Sequence, residues 1–161
     1  MSQSVFRGTN RYRMLREGRE YINKVATRYG SVEKKLLFDL EYHVVDQLIA
    51  REFPARVFEI ITGRLIKHHQ EELIGLADLP ADKRPKRINV YSDMPNSPYM
   101  IGITVSRSVK TGFVYVNMRT CYKERNHKNR KRIIEAYKIR VKNGDILRRQ
   151  GENDSLTSSC L

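Results

Sequence analysis

Residues 87–120, RINVYSDMPNSPYMIGITVSRSVKTGFVYVNMRT, decide the fold. Their apolar side chains recur at every second position, which is the period of a strand. Three strands are expected, Arg87–Tyr91, Tyr99–Ser106 and Thr111–Thr120, each rich in Val, Ile, Tyr and Thr. The segments between them, SDMPNSP and SVKTG, have the chemistry of turns. The spacing therefore predicts an antiparallel meander.

Upstream, the pattern is mostly helical. Residues 5–29 form a basic helix with a thin apolar stripe (Val5, Tyr12, Leu15, Tyr21, Ile22 and Val25), and Gly30 is its C-cap. Lys34–Phe38 reads as a short strand. Asp39 then N-caps a helix running to Glu52, and Pro54 ends it. A shorter helix, Ala55–Thr62, is stopped by Gly63. Leu65–Gln70 reads as a strand, and residues 78–87 as a polar loop. Beyond the meander, KERNHKNRKR (residues 123–132) is a basic loop. Residues 130–142 form a last helix with Ile133, Ile134, Tyr137 and Val141 on one face. The expected class is α+β, with N-terminal helices packed on a small antiparallel sheet and a basic C-terminal helix. One domain spans residues 1–147, and residues 148–161 form a polar, disordered tail.

The length of 161 residues and the 40% hydrophobic content suit one modest core. No run of eighteen apolar residues marks a membrane helix, and MSQSVFRGTNRYR lacks an apolar signal region. Cys121 and Cys160 are far apart, which gives neither a disulfide framework nor zinc spacing, so a cytoplasmic protein is expected. The 31 Lys and Arg outnumber the 18 Asp and Glu, for a net charge of +13. Such a field favours polyanions, with RNA, DNA and anionic lipid as candidates. No helix joins a wide apolar face to a basic one well enough to prefer lipid. The charge names a partner and not an activity.

On the helix 40–52, at about 100° per residue, Val44, Val45, Leu48 and Ile49 point one way. His43, Gln47 and Arg51 share the opposite side at i, i+4 and i+8, with Asp46 at its edge. A solvated helix surface that carries a histidine has the same pattern. His68 and His69 add two imidazoles. On a strand they face opposite ways, so only one could join His43. Histidine titrates near neutral pH and can move the protons that RNA cleavage requires, from the attacking 2′-hydroxyl and to the leaving 5′-oxygen. Arginine forks meet the charged phosphorus centre; Arg51, Arg107 and Arg119 are candidates. On the third strand, Tyr115, Asn117 and Arg119 alternate with Val114, Val116 and Met118. That polar face suits base reading or phosphate holding, although a merely solvated face would look alike. Lys123, Arg125, Lys128, Arg130 and Arg132 of the basic run are candidate phosphate contacts. No metal-ligand spacing, Gly-rich phosphate loop, nucleophile elbow or CxxC pair stands out, so no metal and no cofactor are expected.

YHVVDQLIARE followed by VFEI, and then RINVYSD, YMIGITV and FVYVNMR in that order, resemble the RegB family. These are sequence-specific endoribonucleases of T-even phages, grouped with the RelE-type toxin ribonucleases. The resemblance runs from about Leu37 to Tyr122. It implies a cytoplasmic phage enzyme of early infection that cuts mRNA in purine-rich translation-initiation regions, helped by a ribosomal protein. It also implies metal-independent chemistry that leaves 2′,3′-cyclic phosphate ends. His43 matches the family's first important histidine, and Arg51 carries the arginine of that helix. Near the place where the family has its second histidine, Thr62 stands; either His68 substitutes for it or the chain lacks that group. The expected catalytic set is His43, His68, Arg51 and Arg119. Two other readings stay open: a non-catalytic module that binds RNA or the ribosome, and a DNA-binding regulator.

Overall fold

The computed structural model describes residues 11–51, 53–92, 98–123 and 136–141. Within them the chain is α+β, with four helices and a five-stranded mixed sheet. Helix α1 is Arg11–Arg28, and strand β1 is Leu36–Leu40. Helices α2 (Tyr42–Ala50), α3 (Ala55–His68) and α4 (Gln70–Ala77) follow. Strands β2 (Ile88–Tyr91), β3 (Tyr99–Arg107), β4 (Val114–Lys123) and β5 (Tyr137–Arg140) complete the set.

The strand order is β1-β4-β3-β2-β5. The meander β2–β3–β4 is antiparallel, as the period of two predicts. The flanking strands correct the expectation of a wholly antiparallel sheet: β1 joins β4 in parallel and β5 joins β2 in parallel. The three helices between β1 and β2 supply the crossover that such a layout requires. The spacing predicts that Tyr137–Arg140 belongs to the helix 130–142; it is strand β5 instead. Ile139 points into the core at 2% exposure between exposed Lys138 and Arg140, an alternation that fits β2 as a partner. Residues 130–135 of that expected helix lie outside the described residues, as do 148–161 of the expected tail.

Local chemistry explains the other departures. Gly30 sits at φ 72° and caps α1, with the Ser31 amide donating to Ala26 O at 2.9 Å. Asp39 is not a helix cap: it lies in β1, where its carboxylate accepts from the Leu40 amide and pairs with Arg19. Glu41 takes the N-cap position of α2 without a side-chain cap bond. Gly63 does not stop α3. A Cβ there would lie 2.7 Å from the Tyr21 hydroxyl, so this glycine lets α1 approach α3 closely. The Tyr21 hydroxyl then donates to Glu59 O at 2.8 Å. Leu65–Gln70, expected as a strand, is the end of α3 and the start of α4, because Leu65, Ile66 and Leu73 reach the core at helical spacing.

All four helices help to cover one face of the sheet. Leu36, Val116, Met118, Ile101 and Val90 from the strands meet Ile22, Val44, Ile61 and Leu65 from the helices, each 1% exposed or less. Burying one such side chain is worth roughly 1.5–3 kcal/mol. On the opposite face Tyr91, Met100 and Tyr122 form a small separate cluster. Apart from Leu37 and Gly102, the other described strand residues on that face carry polar side chains, and it holds the candidate site.

Candidate nucleic-acid groove

Strand β1 pairs with β4 only as far as Leu40 and Met118. Beyond that point the edge of β4 would expose backbone groups, which folded proteins cover. Helix α2 lies along this edge and covers it with side chains. Gln47 Oε1 accepts from the Cys121 amide at 2.8 Å and from the Thr120 hydroxyl at 2.7 Å. Arg51 Nη1 donates to Cys121 O at 2.9 Å. The polar stripe His43–Gln47–Arg51 is therefore real, but two of its three members complete a strand edge.

The same bonds orient the contact between Gln47 and His43. Because Gln47 Oε1 is taken by two donors, its Nε2 is the group that meets His43 Nε2 at 2.8 Å. The amide nitrogen donates, so the imidazole nitrogen accepts. His43 itself is exposed. Cys121, beneath this edge, is no nucleophile: burial pushes its thiol up to about 12.

Arg119 owes its aim to a β-bulge. Gly102 pairs with Thr120 and Ile103 with Met118, so Arg119 is the extra residue on β4. Its Nε meets Glu41 Oε2 at 3.1 Å. With α2 on one side and the start of β2 on the other, these strands bound an open groove of about 460 Å³. His43, Arg51 and Arg119 line one side, and Lys86 and Arg87 line the other. Asn89, Gly102 and Thr120 are cross-strand partners in register and form the floor between them. Among the described residues, no carboxylate lines the groove.

The groove thus unites His43, Arg51 and Arg119. His68 is not among its lining residues. It is the last residue of α3 rather than part of a strand. The neighbouring His69 is buried, with Nδ1 2.9 Å from Glu72 Oε1. Arg107 pairs with Asp78 at 2.7 Å and donates to Gly112 O, which anchors the β3–β4 hairpin outside the groove. Tyr115 and Asn117 alternate with buried Val114, Val116 and Met118 as expected, but do not line the groove. Lys123 ends β4, and Arg125, Lys128, Arg130 and Arg132 lie outside the described residues.

Sequence reasoning passes over Lys86, Asn89, Gly102 and Thr120. One signal was available: a glycine inside YMIGITV marks a bulge or a close approach. Among the described residues, no cluster of His, Cys, Asp and Glu could hold a metal ion, and no helix is long and apolar enough to cross a membrane. No protein-family model, no curated protein and no solved structure matches this chain.

Proposed function

We propose that this protein is a metal-independent endoribonuclease of RegB type on a RelE-like fold, cutting phage-infected cells' mRNA in the cytoplasm, with its groove as the RNA site. The observation that carries this reading is the meeting of His43, Arg51, Arg119, Lys86 and Arg87 around a groove that no carboxylate lines among the described residues, with Glu41 paired to Arg119. The cations attract phosphate, and the arginine forks suit the charge that gathers on its oxygens during cleavage. His43 takes the proton of the 2′-hydroxyl as that oxygen bonds to phosphorus, with the bond to Gln47 giving way to the substrate. The bond from phosphorus to the 5′-oxygen breaks, a proton from solvent completes the leaving hydroxyl, and a 2′,3′-cyclic phosphate remains. Purine-rich initiation regions and a ribosomal protein are the substrate and partner that the RegB resemblance suggests.

One observation favours a second reading, a non-catalytic module that binds RNA or the ribosome. The lone pair of His43 Nε2 is held by Gln47, and Gln47 and Arg51 both have structural work at the β4 edge. Incubating the purified protein with a messenger leader in EDTA separates the two. Discrete cuts with cyclic-phosphate ends are expected. Tight, salt-sensitive binding without cuts would replace the enzyme with the module. Preferential capture by duplex DNA would remove both.

A further inference from the structure

Among the described residues, one carboxylate is ion-paired with a cation of the groove: Glu41, whose Oε2 lies 3.1 Å from Arg119 Nε. Glu41 is not itself a lining residue, and Arg51 is engaged by the Cys121 carbonyl oxygen instead. The pair is open to solvent, with 56% of the Arg119 side chain and 37% of the Glu41 side chain exposed. Such a pair adds little to stability, because water and salt screen it.

Nor does the fold need the Glu41 side chain. Glutamate is not among the favoured N-caps, and here it makes no side-chain cap bond to α2. The bonds that seat this residue come from its backbone. Its amide donates to Met118 O at 3.1 Å, and its carbonyl accepts from the Val44 amide at 3.0 Å. The carboxylate is spent on Arg119, the residue that the β4 bulge adds. Arg119 Nε–H belongs to an edge with which a guanidinium grips two oxygens at once. A phosphate cannot fork onto that edge while a carboxylate oxygen holds it, and the two anions repel.

We propose that Glu41 is a built-in competitor for phosphate at Arg119, and so sets which anions the groove admits. It does for Arg119 what Gln47 does for His43, whose Nε2 is met at 2.8 Å by a donor from the same helix. A lone carboxylate ligand gains nothing by displacing Glu41, since it replaces like with like. A strand whose other phosphates are held by Lys86 and Arg87 presents the next one to Arg119 at high effective concentration, and that phosphate displaces Glu41. The contact therefore favours polyanionic strands over single anions. For its natural ligand this inference rests on the RNA reading above.

The test is a double-mutant cycle of Glu41→Gln and Arg119→Ala, read by binding of a short oligoribonucleotide. Glu41→Gln should bind about threefold more tightly than the wild-type protein, the scale of an exposed ion pair. In the Arg119→Ala background most of that gain should vanish. Weaker binding by Glu41→Gln would make Glu41 a positioning residue for Arg119 and overturn the proposal. An equal gain in both backgrounds would reduce the effect to net charge and overturn it too. A titration with inorganic phosphate, followed at the Arg119 Nε–H resonance, gives the second measurement. Glu41→Gln should respond at about threefold lower phosphate than the wild-type protein, and equal responses would overturn the proposal. If the wild-type protein binds no RNA while the phosphate responses differ as stated, the RNA reading falls and the competitor stands.

Discussion

Two histidines from one stretch of chain end in opposite surroundings. His43 is exposed on α2, accepts a hydrogen bond from a neutral amide four residues on, and opens onto a groove lined by arginine and lysine. His69 is 6% exposed between α3 and α4 and meets the Glu72 carboxylate three residues on. The Tyr137 hydroxyl donates to the same carboxylate at 2.8 Å, so this cluster ties the α3–α4 junction to β5. Helical spacing pairs each ring with a neighbour. What differs is access: one ring can meet a ligand, and the other joins two elements of the fold. A histidine's task follows from what surrounds its second nitrogen and not from its position in a motif.

The largest effect should come from exchanging the histidines' fates. His43→Ala is expected to lower RNA cleavage by about 10²–10⁴-fold, the usual contribution of a positioned acid or base, with RNA affinity nearly kept. His68→Ala should leave the cleavage rate unchanged, since His68 lies outside the groove. His69→Ala should also spare the rate per folded molecule while costing about 1–3 kcal/mol in denaturant unfolding. Cleavage that survives His43→Ala, or vanishes with His68→Ala, would break the contrast.

The groove side has a structural component that can be measured separately. Gln47→Ala removes the acceptor of the buried Cys121 amide and the donor to His43. A stability loss of about 1–3 kcal/mol is expected from the stranded backbone donor. In contrast to His69→Ala, this variant should also change cleavage, because His43 loses its orienting partner. A normal rate in the stable fraction would show that Gln47 serves the strand edge alone. Lys86 and Arg87 offer the milder version of this test. Each replaced by Ala should weaken RNA binding about equally across sequences and reduce the salt slope by about 1.

The same contrast marks how far the sequence was legible. The meander and the apolar side of α2 could be read because Val44, Val45 and Leu48, like Val114, Val116 and Met118, keep one period along one element. Gly63 and Tyr137 misled because their meaning comes from another element: Tyr21 on α1 for the first, Ile88 on β2 for the second. A glycine that looks like a helix stop was a contact, and a tyrosine on an apparent helical face was in a strand. His43, Arg51 and Arg119 were within reach of pattern reading. The floor was not, since Asn89, Gly102 and Thr120 become neighbours only through strand register, and the bulge at Arg119 shifts that register by one residue.

The smallest expected effect is an alkaline one, and it touches both regions. Burial raises Cys121 from 9.0 to about 12 beneath the groove edge. The hydrogen bond to Glu72, and then burial, raise Tyr137 above 10.0 in the His69 cluster. Burial chiefly, with Glu59 nearby, does the same for Tyr21 at the α1–α3 contact. Each group releases its proton more readily in the unfolded chain. The folded state therefore binds more protons above about pH 9, and stability must fall as pH rises from there toward about 12. Below the unfolded values this contribution is fully present. Thermal melts across that range should show the decline, and a melting temperature that is flat or rises would contradict the burial of these groups. Cys121→Ala should lower the starting stability by leaving a small cavity, yet make the decline shallower at its acid end, where the thiol titrates first. Tyr137→Phe should leave the thiol part intact and make only the later part shallower, with the Tyr21 contribution remaining. If the two variants flatten the same part of the curve, the decline does not come from a thiol that titrates before a phenol, and the assignment of its two parts falls.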